Sequence, residues 1–146
     1  MASTDRFVLP MIEPGQAGKE ITHNEALLRV DMLLHPCLET LAAEVPPIAP
    51  QPGCAWGLGA NPAGAWAGRG GQIAVWTTGG WRFLSPATGM AAWRRDLGCQ
   101  IRFTDRGWVG GAAVPAPAGG STVDTAARSA INELRNVLTQ HGLLKP

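Results

Sequence analysis

At 146 residues the chain has the length of one ordinary domain, and its formal net charge of +1 excludes the strong basic excess of a typical nucleic-acid binder. Charged residues are only 16%, while Gly (19) and Pro (12) make up about a fifth of the chain, a balance that predicts a folded, loop-rich domain. No run reaches the ~18–20 apolar residues of a membrane span, so no membrane insertion is expected. The first twenty residues lack the apolar core of a secretory signal, and Cys37, Cys54 and Cys99 match neither a zinc spacing nor a disulfide framework.

Charge is unevenly distributed. Residues 1–45 carry seven acidic and three basic groups, whereas residues 50–120 carry six Arg, two Asp and all six Trp. That asymmetry suits contact between copies of the chain, or an internal match between its parts. Residues 1–20 read as an extended docking arm, because Pro10 and Pro14 forbid helix around Val8, Leu9, Met11 and Ile12. Thr22-His23-Asn24-Glu25 has the pattern of a helix-capping box, followed by an apolar stripe of Ala26, Leu27, Val30, Leu33 and Leu34. Pro36 stops that helix near Leu34, and Glu25 and Asp31 are expected on its solvent side.

Pro46 to Gly53 is a stiff connector. Short strands are then predicted at 54–58, 72–76, 81–84, 90–94 and 100–104, separated by turns such as Thr78-Gly79-Gly80, Ser85-Pro86 and Asp105-Arg106-Gly107. Their spacing points to a small antiparallel, Trp-rich sheet, with the segments around Ile73 and Trp81 forming a hairpin partly covered on both faces. Residues 21–112 therefore read as a helix plus a β-rich core, and 113–120 as a Pro/Gly/Ala linker. Residues 121–146 read as a C-terminal amphipathic helix, capped by Ser121 or Asp124 and stopped by Gly142. Along it, Ala127, Ile131, Leu134, Leu138 and His141 form a heptad-like seam, widened by Ala130 and Val137. This seam packs on the sheet or serves as an oligomer or fibre contact. The fold class is α+β.

Catalytic chemistry has little to work with. His23, His35 and His141 share no helical face, no nucleophile elbow is present, and Gly68-Arg69-Gly70-Gly71 lacks the Lys-Ser/Thr of a phosphate loop. No catalytic residue, metal site or cofactor is assigned, and the chain is not expected to be an enzyme. The tryptophans allow two readings. They supply the core of a sheet poor in other large apolar groups, or Trp66, Trp81 and Trp93 with Arg82 form a glycan-contacting surface.

Three blocks of sequence point further. They are Leu9-Pro10 with Gly15-Gln16-Ala17 and Thr22 to Leu27; Gly64 to Gly68 with Gly71 to Ala74, Trp76 and Gly80 to Phe83; and Val123-Asp124-Thr125 with Ala127, Arg128 and Ile131. Together they resemble a small uncharacterised domain family of bacterial prophage and gene-transfer-agent clusters. The chain departs from the family pattern at Gly18, at Met90 and at Cys54-Ala55-Trp56. The resemblance implies a structural role in a phage-like particle of the head-spike-base kind, made in the bacterial cytoplasm and assembled into the virion. Its implied partners are further copies of itself, a capsid protein and a spike fibre protein. A pentamer would match a fivefold vertex, with a trimer as the other closed form. Under this reading Val8, Leu9, Pro10, Met11 and Ile12 dock on capsid or a neighbouring subunit. The alternative function is a carbohydrate-binding module that contacts host polysaccharide through the Trp/Arg surface.

Overall fold

The computed structural model describes residues 2–13, 15 and 18–145. The chain divides into two compact units, Met1–Pro86 and Ala87–Pro146. The boundary falls at the Ser85-Pro86 turn, inside the stretch 21–112 that composition treats as one core. The first unit holds α1 (Lys19–Leu33), β1 (Cys37–Leu38), β2 (Ala55–Gly57), a 3-10 turn at Gly64–Trp66, β3 (Ile73–Thr77) and β4 (Gly80–Leu84). The second holds β5 (Ala91–Arg94), β6 (Cys99–Thr104), β7 (Gly107–Gly110) and α2 (Thr125–Gln140). Two helices and seven strands among the described residues make the fold α+β, as expected.

In the first unit the strands lie in the order β4-β3-β2-β1. β2, β3 and β4 pair antiparallel, but β1 runs parallel to β2, with Leu38 opposite Ala55, so the sheet is mixed rather than purely antiparallel. A parallel pair needs a long return path, and residues 39–54 with the Pro-rich connector provide it. The returning chain stays close to β2: the Ala43 N–H donates to the Gly57 carbonyl at 3.1 Å, and the Gly57 N–H donates to the Thr40 carbonyl at 3.0 Å. A Cβ at Gly57 would lie 2.5 Å from Leu41 Cδ2, so any larger residue there would force the Leu41 side chain to shift.

The core of this unit is built on tryptophan. Leu58, Trp66 and Ala74 form its buried centre, and Ala43, Trp56, Trp81 and Phe83 pack around them. Trp66, carried by the 3-10 turn, meets Trp81 edge-on at 5.1 Å between centroids and Trp56 at 6.0 Å. Trp81 also meets Trp76 and Trp56 edge-on, at 4.9 and 5.6 Å. Such pairs contribute about 0.5–1.5 kcal/mol each beyond area burial, which suits a core with few aliphatic side chains.

The second unit has strand order β5-β6-β7, all antiparallel. Along β6, Cys99 and Ile101 are buried while Gln100 and Arg102 are exposed, the alternation of a half-covered sheet. The β6–β7 hairpin repeats the closure of the β3–β4 hairpin. Thr77 Oγ1 donates to the Gly80 carbonyl and Thr104 Oγ1 to the Gly107 carbonyl, both at 2.8 Å. The next register pair is aromatic in each: Trp76 with Trp81, and Phe103 with Trp108 at 5.2 Å. Both hairpins thus carry the string Thr-x-x-Gly-Trp. Gly80 and Gly107 sit at φ +95° and +99°, a backbone that L side chains rarely adopt.

The helix termini divide in the same way. α2 behaves as its sequence predicts: Asp124 caps it by accepting from the Ala127 N–H at 2.9 Å, and it ends at Gln140. Gly142, at φ +69°, then turns the chain under Trp93, and its carbonyl accepts from the Gln100 N–H at 2.7 Å. α1 begins earlier than its sequence predicts, at Lys19 behind a left-handed Gly18, with no side-chain cap. Thr22 therefore lies inside the helix, and Glu25 forms an ion pair with Arg82 of β4 at 2.8 Å instead of closing a capping box. The terminal part of the predicted C-terminal helix, residues 141–145, is a turn, and Pro146 lies outside the described residues.

Candidate functional site

The N-terminal segment is not extended. Residues 2–11 fold back as a hairpin: Ser3 bridges Pro10, the Thr4 N–H donates to the Leu9 carbonyl at 3.0 Å, and the Met11 N–H donates to the Ala2 carbonyl at 2.9 Å. Proline forbids helix but permits a turn with its ring outside the ladder, and Val8 takes the positive φ (53°) that lets the chain reverse. The parts of the predicted arm at Met1, Pro14, Gln16 and Ala17 lie outside the described residues.

Asp31 fastens this hairpin to α1. Its carboxylate accepts from Thr4 Oγ1 and the Phe7 N–H at 2.8 Å and from the Arg6 N–H at 3.0 Å, and the residue is 3% exposed. Arg6 continues the clamp. Its guanidinium donates to the carbonyls of Asp31, Leu34 and His35 at 2.9, 3.0 and 2.7 Å, satisfying acceptors that a helix C-terminus leaves open. One turn and more toward the N-terminus, Asn24 pairs with the backbone of Ile12, donating to its carbonyl and accepting from its N–H, both at 3.0 Å.

The inward face of α1 therefore mixes polar groups with apolar ones, Asn24, Glu25 and Asp31 beside Leu27, Leu28 and the buried Met32, which departs from the expectation for this helix. Asp31 is buried rather than solvated, and Glu25 is half-buried against Arg82. Of the predicted apolar stripe only Leu27 is half-buried, whereas Ala26, Val30, Leu33 and Leu34 are exposed. The stripe rule assumes that the apolar side turns inward, but here the acceptors that the hairpin needs share that side. Of the predicted docking residues, Leu9, Met11 and Ile12 are half-buried, Pro10 is exposed and Val8 is 68% exposed, with Phe7 exposed beside it. A shallow depression of about 470 Å³ on the same helix is lined by Ile21, Thr22, Glu25, Ala26 and Arg29.

α2 repeats this arrangement in the second unit. Arg135 donates to the Val114 carbonyl at 2.7 Å and to Asn132 Oδ1 at 3.2 Å, and Arg128 donates to the Gly119 carbonyl. The polar side of the helix thus holds the Pro/Gly/Ala connector. None of its residues is fully buried. Ala127, Ala130, Ile131, Leu134 and Val137 are exposed, and Leu138 is half-buried.

The glycan-surface residues separate. Trp66 is 0% exposed and cannot meet a sugar, because the sheet uses it as its central core side chain. Trp81 is half-buried among three other indoles, and the Arg82 guanidinium is occupied by Glu25 and by the Gly79 and Trp81 carbonyls. Trp93, 37% exposed, belongs to the other unit. Next to it, Arg94 donates to both Asp96 oxygens at 2.8 and 2.9 Å, and that bond holds its guanidinium above its ordinary pKa despite partial burial.

Among the described residues no three His, Cys, Asp or Glu side chains gather closely enough to hold a metal ion, and all three histidines are exposed. Sequence reasoning missed Arg6, Asn24 and Asp31. A signal was available for Asp31: an acid in the last turn of a helix opposes the dipole, so it needs a specific partner to remain there. For Arg128 and Arg135 the signal was their seven-residue spacing, which puts them on one face beside the seam.

The family model described as "Protein of unknown function (DUF2793)" matches residues 23–109. No curated protein and no solved structure matches the chain.

Proposed function

Because the chain belongs to the DUF2793 family, an uncharacterised one, and resembles proteins of prophage and gene-transfer-agent clusters, we propose that it is a structural component of a phage-like particle. It acts as a spike or fibre base, docking on the capsid and carrying a receptor-binding fibre. The observation that carries this reading is α2, whose polar side is spent on the connector of its own unit and whose apolar side faces outward. An enzyme concentrates its polar groups in a concave site, whereas a piece of an assembly presents apolar surface to its neighbours. The proposed neighbours are further copies of the chain, with a pentamer at a fivefold vertex favoured and a trimer the other closed form, a capsid protein, and a fibre protein. The protein is made in the bacterial cytoplasm and ends in the particle, with no reaction assigned to it.

Quantitative proteomics of gradient-purified particles tests the proposal. The chain is expected to co-purify at a fixed ratio to the major capsid protein, in fivefold multiples for a vertex base. Absence from intact particles would overturn the structural role.

A further inference from the structure

We propose that α2 is the central element of a cyclic homo-oligomer of three or more copies, its occupant being the same helix of neighbouring subunits in parallel orientation. The inference deepens the reading above, on which its biological purpose rests, but it stands on the helix itself.

The first observation is the width of the outward stripe. Ala127, Ala130, Ile131, Leu134, Val137 and Leu138 occupy three positions of each heptad, whereas a two-stranded coiled coil fills only two. The extra position buries a second flank, so each helix is built to touch two neighbours.

The second observation is charge. At about 100° per residue, Glu133 and Gln140 border the stripe on one side and Arg128 and Arg135 on the other. In a parallel ring Glu133, the one acid on its flank, meets the basic flank of the next copy, standing only about 3 Å of helical rise from the level of Arg135, and Gln140 offers an amide to the same side. An antiparallel pair would set arginine flank against arginine flank. Each guanidinium gives one or two of its five donors to its own backbone or to Asn132, which leaves others for a neighbour. Those same bonds fix the rotation of the helix, so the stripe cannot turn inward.

Sedimentation equilibrium of the full chain, with far-ultraviolet circular dichroism, tests this. The wild type is expected at three or more times the 15.3 kDa protomer mass. Leu134→Glu is expected to sediment as a protomer with unchanged helix signal, because Leu134 is 59% exposed and its replacement costs the fold little. Glu133→Lys should raise the dissociation constant about tenfold at low salt, with the difference shrinking as salt screens the flank repulsion. Val30→Glu, on the outward face of α1, should leave the mass unchanged. A wild type that stays a protomer, forms only a dimer, or remains assembled when Leu134→Glu is introduced overturns the proposal. Particle proteomics reads a separate quantity: a chain found in particles yet monomeric in solution would refute the α2 ring and leave the virion role standing.

Discussion

Replacing Asp31 with Asn isolates the clamp between the N-terminal hairpin and α1. The carboxylate accepts three hydrogen bonds in a site that is 3% exposed, and an amide keeps one acceptor oxygen while turning an NH2 group toward donors. Hydrogen bonds to a charged group contribute about 1.5–3 kcal/mol each, so losing one or two of them sets a gross cost of about 2–5 kcal/mol. Two effects reduce it. Removing an acid from the last helical turn returns about 0.3–1 kcal/mol, and the hairpin can lift off and hydrate instead of remaining with unpaired groups. A net loss of about 2–3 kcal/mol for hairpin closure follows, equivalent to a roughly 30–150-fold larger opening equilibrium constant, at 1.4 kcal/mol per decade. Amide hydrogen exchange at Arg6 and Phe7 reads this directly, since both N–H groups bond to the replaced carboxylate. A cycle with Thr4→Val should show at least about 0.5 kcal/mol of coupling, because the two side chains share a hydrogen bond. Wild-type exchange rates at Arg6 and Phe7 in Asp31→Asn would refute the clamp.

Two further substitutions probe the first unit. Trp66→Ala removes the fully buried indole that packs on Trp56 and Trp81 and should cost about 3–5 kcal/mol, read as a lowered urea midpoint and lost tryptophan coupling in near-ultraviolet dichroism; an unchanged midpoint would contradict the assignment of Trp66 to the core. Gly57→Ala places a methyl group 2.5 Å from Leu41 Cδ2 and should cost about 1–3 kcal/mol, with Leu41→Ala recovering part of the loss in the double variant; equal costs in both backgrounds would show that the tight passage beside β2 is not the cause.

What could be read from the sequence was local. The hairpin of β3 and β4 followed from alternating residues around Thr78-Gly79, and α2 followed from Asp124, its period and Gly142, because each signal acts within a few residues. The orientation of α1 was not legible. Its period located a helix, but which side faces inward depended on Thr4, Arg6 and Phe7, some 25 residues away, offering donors only Asp31 could accept. β1 was missed for a similar reason: two residues carry no alternation, and their parallel pairing with β2 depends on a return path across the whole Pro-rich connector. The tryptophans stood open between core and surface, since an indole suits either, and packing assigned Trp66 to the core. The Thr-x-x-Gly-Trp string was visible in both hairpins, but its meaning lies in a threonine hydroxyl donating across the turn.

The polar anchoring of the two helices bears on how fast the chain would assemble in the role proposed for it. Many small assembly modules form their helices only on contact and pay the ordering entropy at that moment. Here Arg6 and Asp31 hold α1, and Arg128 and Arg135 hold α2, through bonds that no partner supplies. The outward faces are preorganised, so docking approximates a rigid-body encounter whose main costs are lost tumbling and a few rotamers. Under the proposed assembly, the same readiness would make the free subunit sticky, and its lifetime in dilute solution should depend on how soon a neighbour covers those faces.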